Sequence, residues 1–353
     1  MAKTPEFDLR KARKNYLING DMRISQRQVT FTGIANGAYS LDRYVYYKVG
    51  AMVHTITQGT DVPTLTQAGY LFQNCLRLNL TTPDTAIAAT DVCAITQKIE
   101  GYNFTALAQK PFTLSFWVKA TLPGTYCVAF QNSANDRSYV AEYTINAAST
   151  WEYKTITVAA SPSAGTWNYS TGIGLEVNWT LAAGSNFQQT AGSWQTNAGA
   201  KYATANQING VNTGATDFRI TGVMLNEGVE ALPFSLFAGD IEGEFAACQR
   251  YFEKSYPEGF YATATSVNGY CAVTVPAGTV RATFPFKVKK RTTPSYTPYS
   301  VVLGTINNVS KDVSGNIAIT GVQGVDAWGG GVEFVQTAGD LRAYWHFYAE
   351  AEL

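Results

Sequence analysis

In the stretch TLSFWVKA, Thr113 to Ala120, the residues Leu114, Phe116 and Val118 point one way, while Thr113, Ser115, Trp117 and Lys119 point the other. That period of two belongs to a β-strand with one face in a core, and no helix can hold it. The pattern recurs from Asn15 to about Leu236 as short alternating or apolar runs separated by turn clusters, among them YSLDRYVYYKVG, LFQNCLRLNL, DVCAITQKIEG, GTYCVAFQN, RSYVAEYTI, WEYKTITVAA, GIGLEVNWTL and TDFRITGVMLNEG. About nine or ten strands spaced by turn signals predict an all-β sandwich or jelly roll. NYLINGDMRISQR, Asn15 to Arg27, reads as its first strand, although it is unusually polar for one.

Composition agrees with this reading. Aromatics reach 13% and charged residues only 15%, with 21 Tyr and 31 Gly, which favours sheets and turns over helices. Acidic and basic residues balance at 26 each, so the long-range field of a nucleic-acid or anionic-membrane binder is missing. No apolar run is long enough to span a bilayer as a helix, so neither nucleic acid nor membrane insertion is expected. The five cysteines (Cys75, Cys93, Cys127, Cys248, Cys271) lack CxxC spacing and lie in strand-like runs, which predicts buried free thiols and folding in a reducing cytoplasm.

Three segments break the rhythm. Leu181 to Gly214 is long and rich in Asn, Gln, Gly, Ala and Thr, and such a connection is expected to be a functional or assembly loop. Asp240 to Ser255 is the one good helix candidate, with Ile241, Phe245, Cys248 and Phe252 on one stripe. Too short to stand alone, its stripe is expected to pack on a neighbouring domain or on copies of itself, and in the second case Ile241, Phe245 and Phe252 are the predicted contacts of a homotrimer. Beyond it strands return, ending in LRAYWHFYAEAEL, where Leu341, Ala343, Trp345, Phe347 and Ala349 share a face. The organisation expected is a segment 1–14 ordered only by a partner, a jelly roll over 15–236, a connecting helix over 237–256 and a smaller β tip over 257–353.

The usual catalytic constellations are sparse. Only His54 and His346 exist, and HExxH, GxSxG and phosphate-loop patterns are all missing, so a histidine-based triad or metal site has little to be built from. A glycosidase needs only two carboxylates, and Asp136, Glu142, Glu176 and Asp217 qualify by residue type, provided two of them face each other across roughly 5 to 9 Å. Aromatics among amides are the more prominent signal. Trp167, Trp179 and Trp194, with Tyr202 as a weaker member, sit near Asn168, Asn178, Gln195 and Asn197. Sugars are held by such mixtures, because rings stack on their C–H faces while amides bond their hydroxyls. These four aromatics are the expected glycan platform, with Tyr296, Tyr299 and Trp328 of the tip as the fallback.

Six motifs in order carry a resemblance. NYLINGDMRISQR followed by YSLDRYVY, then ITQKIEGYNF, KPFTLSFWVKAT, FRITGVMLNEGVEALPF, ACQRYFEKSY and the terminal YAEAEL together resemble structural proteins of tailed bacteriophages: tail fibres or virion proteins with a carbohydrate-binding-module-like jelly roll. Tyr44 stands where that family more often has Trp, and Glu350 where it has Asp. The resemblance implies a jelly roll in which Asn15 to Ser25 pairs near Phe218 to Asn226, with Asn19, Gly20 and Asp21 forming a turn. Related modules often hold a structural calcium near that seam; Asp21 and Asp217 are the residues that could ligate one here, turn capping is the favoured role for them, and no other cofactor is implied. The functional implication of the resemblance is a virion subunit, assembled in the host cytoplasm, anchored to other virion proteins through residues 1–14, and binding host-surface polysaccharide without catalysis. A purely structural virion component and a glycan depolymerase are the alternatives.

Overall fold

Alternation decides the inside of the first sandwich. Leu114, Phe116 and Val118 are fully buried in one core with Leu76 and Leu78 from the same sheet and with Val128, Phe130, Val177 and Trp179 from the facing sheet. The computed structural model describes residues 14–353 except 215, 276, 312–314 and 338–340. These fall into two units, residues 14–25, 29–244 and 353 in the first, and 26–28 and 245–352 in the second. The division cuts the expected 237–256 connector, whose helix gives its first turn to one unit and the rest to the other.

The first unit is an antiparallel jelly-roll sandwich of two six-stranded sheets. Sheet A runs β1 (Thr30–Phe31), β3 (Val53–Gly59), β4 (Cys75–Thr82), β12 (Asp217–Glu227), β6 (Phe112–Ala120), β9 (Glu152–Val158). Sheet B runs β11 (Trp194–Thr196), β8 (Arg137–Ile145), β7 (Gly124–Gln131), β10 (Ile173–Ala183), β5 (Val92–Glu100), β2 (Tyr44–Val49). Two one-turn helices, α1 (Leu65–Ala68) and α2 (Gly101–Phe104), lie in the connections.

The opening segment is not a strand. Residues 15–25 form buried turns, and their polar side chains replace the ladder that a strand would supply. Asn15 Oδ1 accepts from the backbone N–H groups of Leu17 and Leu225, while its Nδ2 donates to the Val223 carbonyl at 2.9 Å. Asn19, in the left-handed region at φ 59°, accepts from the Ile24 N–H and donates to the carbonyls of Ile24 and Asp42. Gln97 of β5 makes a reciprocal pair of bonds with the Ile18 backbone. Two backbone bonds, Tyr16 to Leu225 and Val223 to Gly20, do place the segment beside β12. At Gly20 a Cβ would sit 2.2 Å from the Val223 carbonyl oxygen, so only glycine fits. A polar opening is therefore what a buried, non-repetitive backbone needs, since each of its N–H and C=O groups must find a partner.

Helix α3 (Ile241–Gln249) is capped by Asp240, whose carboxylate accepts the Gly243 N–H at 2.7 Å. It stops six residues short of Ser255, because residues 252–254 extend into β13 (Phe252–Lys254) and pair with Tyr348–Glu350. Phe252 is thus removed from the expected trimer stripe. It is buried in the second unit, with the Arg27 guanidinium 3.8 Å over its ring and Tyr348 edge-on at 5.0 Å. Ile241 and Phe245 stay on the helix, 38% and 39% exposed.

In the second unit, β14 (Cys271–Val275), β16 (Ser295–Ser300) and β13 all pair with the terminal strand β20 (Leu341–Glu350), and β17 (Asn308–Lys311), β18 (Gly315–Gln323), β19 (Gly329–Gln336) and β15 (Gly278–Pro285) continue the sheet. Ala343, Trp345, Phe347 and Ala349 form its core face, as their alternation predicts. Tyr296 serves that core as well, accepting the Trp345 indole N–H at 3.0 Å, so it is unsuited to a surface role. Lys290 is fully buried with its three donors spent on Glu253 and the carbonyls of Gln249 and Val288.

Candidate functional site

Sheet B has apolar residues on both faces. Its outward set, Val92, Ala94, Cys127, Ala129 and Val140, would leave a greasy patch in water, and the loop after β10 closes over it. Tyr202 is the loop's anchor, stacked on Tyr47 at 5.5 Å and 18° and met edge-on by Phe187. Its carbonyl accepts the Thr180 hydroxyl at 2.7 Å, and the next carbonyl back, that of Lys201, accepts from Gln131. Desolvation raises the pKa of the phenol and also that of the Cys127 thiol beneath the loop. Tyr202 was expected in a glycan platform, but it is 6% exposed and holds the roof down.

The other platform residues divide. Trp179 points inward from β10, is fully buried, and meets Phe116 and Tyr44 between the sheets, so it cannot stack on a ligand. Its register on β10 puts it on the inner face, opposite Asn178 and Thr180. Trp167 and Trp194 are half-buried and come together edge-on at 5.6 Å, flanked by Phe104 and Tyr139. Both indole N–H groups are consumed, donating to the carbonyls of Ala164 and Ala159. They seal the rim of the core, and Tyr169, stacked on Phe104 and 41% exposed, is the most open ring of this cluster.

The roof leaves an open depression of about 550 Å³ where it meets β8. Glu142 stands at its edge, with Oε1 accepting from the Thr204 hydroxyl and from Asn206 Nδ2 at 3.0 Å. Gln189 is locked by Ser138 and Asn197. Around them, Glu142 Oε2, Gln188 Oε1, Thr190 Oγ1 and Asn206 Oδ1 take no partner among the described residues. The depression therefore offers four free oxygens, three of them acceptors only, and suits a neutral ligand that brings several hydroxyl donors. The amide content of this loop is visible in the sequence, but the aromatics expected to form the platform, Tyr202 and Trp194, are spent on packing and hydrogen bonds of the fold itself.

The four carboxylates do not form a glycosidase pair. Glu142 and Glu176 share the outer face of sheet B, but β7 lies between their strands and the register offsets them by four residues, a separation of roughly 15 Å. The chemistry needs roughly 5 to 9 Å. Burial raises the Glu176 pKa, opposed by Lys98 across the ladder. Asp136 ties two loops together, accepting from Asn132 and from the Thr166 N–H and hydroxyl, and the Asn132 bond leads in lowering its pKa. Asp217 bonds Arg77 at 2.6 Å and Arg219 at 2.7 and 2.8 Å.

The calcium expectation also fails on its donor set. Asp217 is committed to two guanidinium groups and Asp21 is ion-paired with Arg23 at 2.9 Å. Calcium takes six to eight oxygens. Among the described residues no group of three or more His, Cys, Asp or Glu is arranged to hold a metal. Both histidines serve the interior. His54 bonds the Tyr46 hydroxyl at 2.6 Å, with burial lowering its pKa to about 3, and His346 is buried against Tyr256 at 3.9 Å. All five cysteines are buried and unbridged, as expected.

No family model matches the chain, and no curated protein does. Among solved structures it is similar to the enzymatically active domain of tailspike protein 4 of bacteriophage CBA120, at 16% identity over 56% of this chain with a TM-score of 0.33. The chain spans about a fifth of that structure's length (21%). A CBM4 structure is similar at 13% identity, 60% of this chain and 99% of its own, with a TM-score of 0.32. A family 11 carbohydrate-binding module of a Clostridium thermocellum cellulosomal cellulase is similar at 10%, 58% and 99%, with 0.31. At these scores the likenesses carry no argument about a ligand.

Proposed function

We propose that the chain is a tail-fibre or virion-spike subunit that attaches a phage to host-surface glycan, binding without cleaving. The observation that carries this reading is the acceptor-rich depression between β8 and the long loop, whose free oxygens fit a neutral polyhydroxylated chain. The six ordered motifs of the sequence supply the virion context. Anchoring through residues 1–14 to other virion proteins belongs to the same proposal, and that segment lies outside the described residues. So does assembly as a homotrimer, for which Ile241 and Phe245 remain as exposed apolar contacts. A single shallow sugar site is weak, and three copies on one fibre would raise avidity by orders of magnitude.

The test uses full-length protein and purified host-surface polysaccharide on a sensor surface, with new reducing ends assayed in parallel. Wild type is expected to bind and release no reducing ends. Glu142→Ala combined with Asn206→Ala should weaken binding about tenfold or more, since hydrogen bonds to a charged group are worth about 1.5 to 3 kcal/mol. Release of saccharide would make it a depolymerase. No binding by wild type would leave the purely structural virion role.

A further inference from the structure

The outer face of sheet A carries a different kind of recess. Trp117 on β6 and Tyr153 on β9 are cross-strand partners with ring centroids 5.4 Å apart and planes tilted by 46°. They line a groove of about 250 Å³. Phe72 and Phe234 form its far wall, packed edge-to-face at 5.1 Å and both braced by Tyr70. The seat of Phe72 is built into the backbone. Gly222, in the bulge of β12 at φ 60°, would bring any Cβ to 2.6 Å from that ring, and only glycine permits both the conformation and the approach.

Its polar groups are unspent. Trp117 Nε1, the Tyr153 hydroxyl, the Ser115 hydroxyl and Gln67 Nε2 take no partner among the described residues, in contrast to the indoles of Trp167 and Trp194. No charged side chain lines the groove. The volume is below the roughly 300 Å³ at which pockets begin to hold drug-sized ligands. An occupant must therefore be small and uncharged, must present an apolar face to a ring, and must accept as well as donate hydrogen bonds. One pyranose ring meets all four demands. A uronic or sialic acid would bring a carboxylate to a groove with no charged lining, and the neighbouring cation on β6, Lys119, is already paired with Asp61.

We propose that this groove is a second sugar site, taking one neutral pyranose ring stacked on Trp117 and Tyr153. It stands on its own geometry and does not depend on the loop depression. If both sites bind, each chain holds glycan on two opposite faces.

The experiment is indole NMR on full-length protein with labelled tryptophan, which gives one N–H signal for each of seven Trp residues. Trp117→Phe identifies the relevant signal. The probes are the methyl glycosides of β-glucose, β-galactose and N-acetyl-β-glucosamine, with methyl β-glucuronide as the charged control. At least one neutral probe should shift the Trp117 signal saturably with a Kd on the order of millimolar, and the glucuronide should bind at least about tenfold more weakly. Gly222→Ala, which pushes Phe72 into the groove, should abolish the shift in a protein whose other indole signals are unchanged. Glu142→Ala should leave it intact, which separates failure here from failure of the loop site. No shift at Trp117 with any neutral probe up to about 100 mM would overturn the proposal. So would equal binding of the glucuronide, or a saturable shift produced by a proline-rich peptide and by none of the sugars.

Discussion

The two outer faces of the sandwich solve the same problem in opposite ways. Sheet A turns a row of three cations outward, Arg77, Arg219 and Lys119 on adjacent strands, and neutralises them with Asp217 and Asp61. Such a face is content in water and needs no cover. Sheet B turns Val92, Ala94, Cys127, Ala129 and Val140 outward, and these are buried only because a loop anchored by Tyr202 lies over them. Where a sheet is greasy on both sides a loop must become structure, and its polar edge is then free to become a site. Where a sheet is charged, an apolar groove must come from aromatics set beside the charges.

The largest expected effect concerns the core that both faces share. Trp179→Ala should cost about 3 to 5 kcal/mol in denaturant unfolding, against about 1 to 2 for Trp194→Ala, because only the first empties a sealed interior. Similar losses for the two would contradict the separation of core from rim.

Next comes a pair of tyrosines. Tyr202→Ala should cost about 3 kcal/mol and weaken polysaccharide binding by loosening the roof, whereas Tyr153→Ala, 45% exposed, should cost under about 0.5 kcal/mol. Equal costs would mean that the loop is not structural.

The seam beneath both faces should titrate. Glu244 is buried, accepts the N–H groups of Asn19 and Ala238, and has its pKa raised to about 7 by desolvation, with nearby Asp21 adding repulsion. The folded state thus holds a proton that the unfolded chain releases near pH 4.5. The contribution of Glu244 to stability should be fully present below that pH and be lost, by up to about 3 kcal/mol, as pH rises to about 7 and beyond. Glu244→Gln should flatten this slope, and an unchanged slope in urea titrations across the window would refute the assignment.

The smallest effect belongs to sheet A. Adding 0.5 M salt should cost the face around Asp217 no more than about 1 kcal/mol, because exposed ion pairs contribute little. A larger salt effect, absent in Asp217→Asn, would show the cation row to be strained.

Much of this was legible in the sequence. The alternation of Leu114, Phe116 and Val118 gave the core side of β6, and it also turned Trp117 outward. The continuous apolar run Val92, Cys93, Ala94, Ile95 carries the mark of a strand buried on both faces, but in the sequence it reads only as one strand among others, and the amide-rich loop is expected to be functional rather than a cover. What alternation could not supply was pairing across the fold. Phe252 left its helix because β20 offered an edge, Asp217 met two arginines from adjacent strands, and Asn15 and Asn19 replaced a ladder with side chains. In each case at least one partner lies far away in the chain.

The proposed glycan site lies at the edge of the loop roof. Amide chemical-shift mapping of the full-length protein with an oligosaccharide prepared from the host-surface polysaccharide tests it most directly. Saturable shifts are expected, centred on Glu142, Gln188 to Thr190 and Asn206 and lost in the Glu142→Ala, Asn206→Ala double variant. Shifts confined to the second unit, or centred on Tyr169 and Trp167 with the loop unmoved, would contradict it.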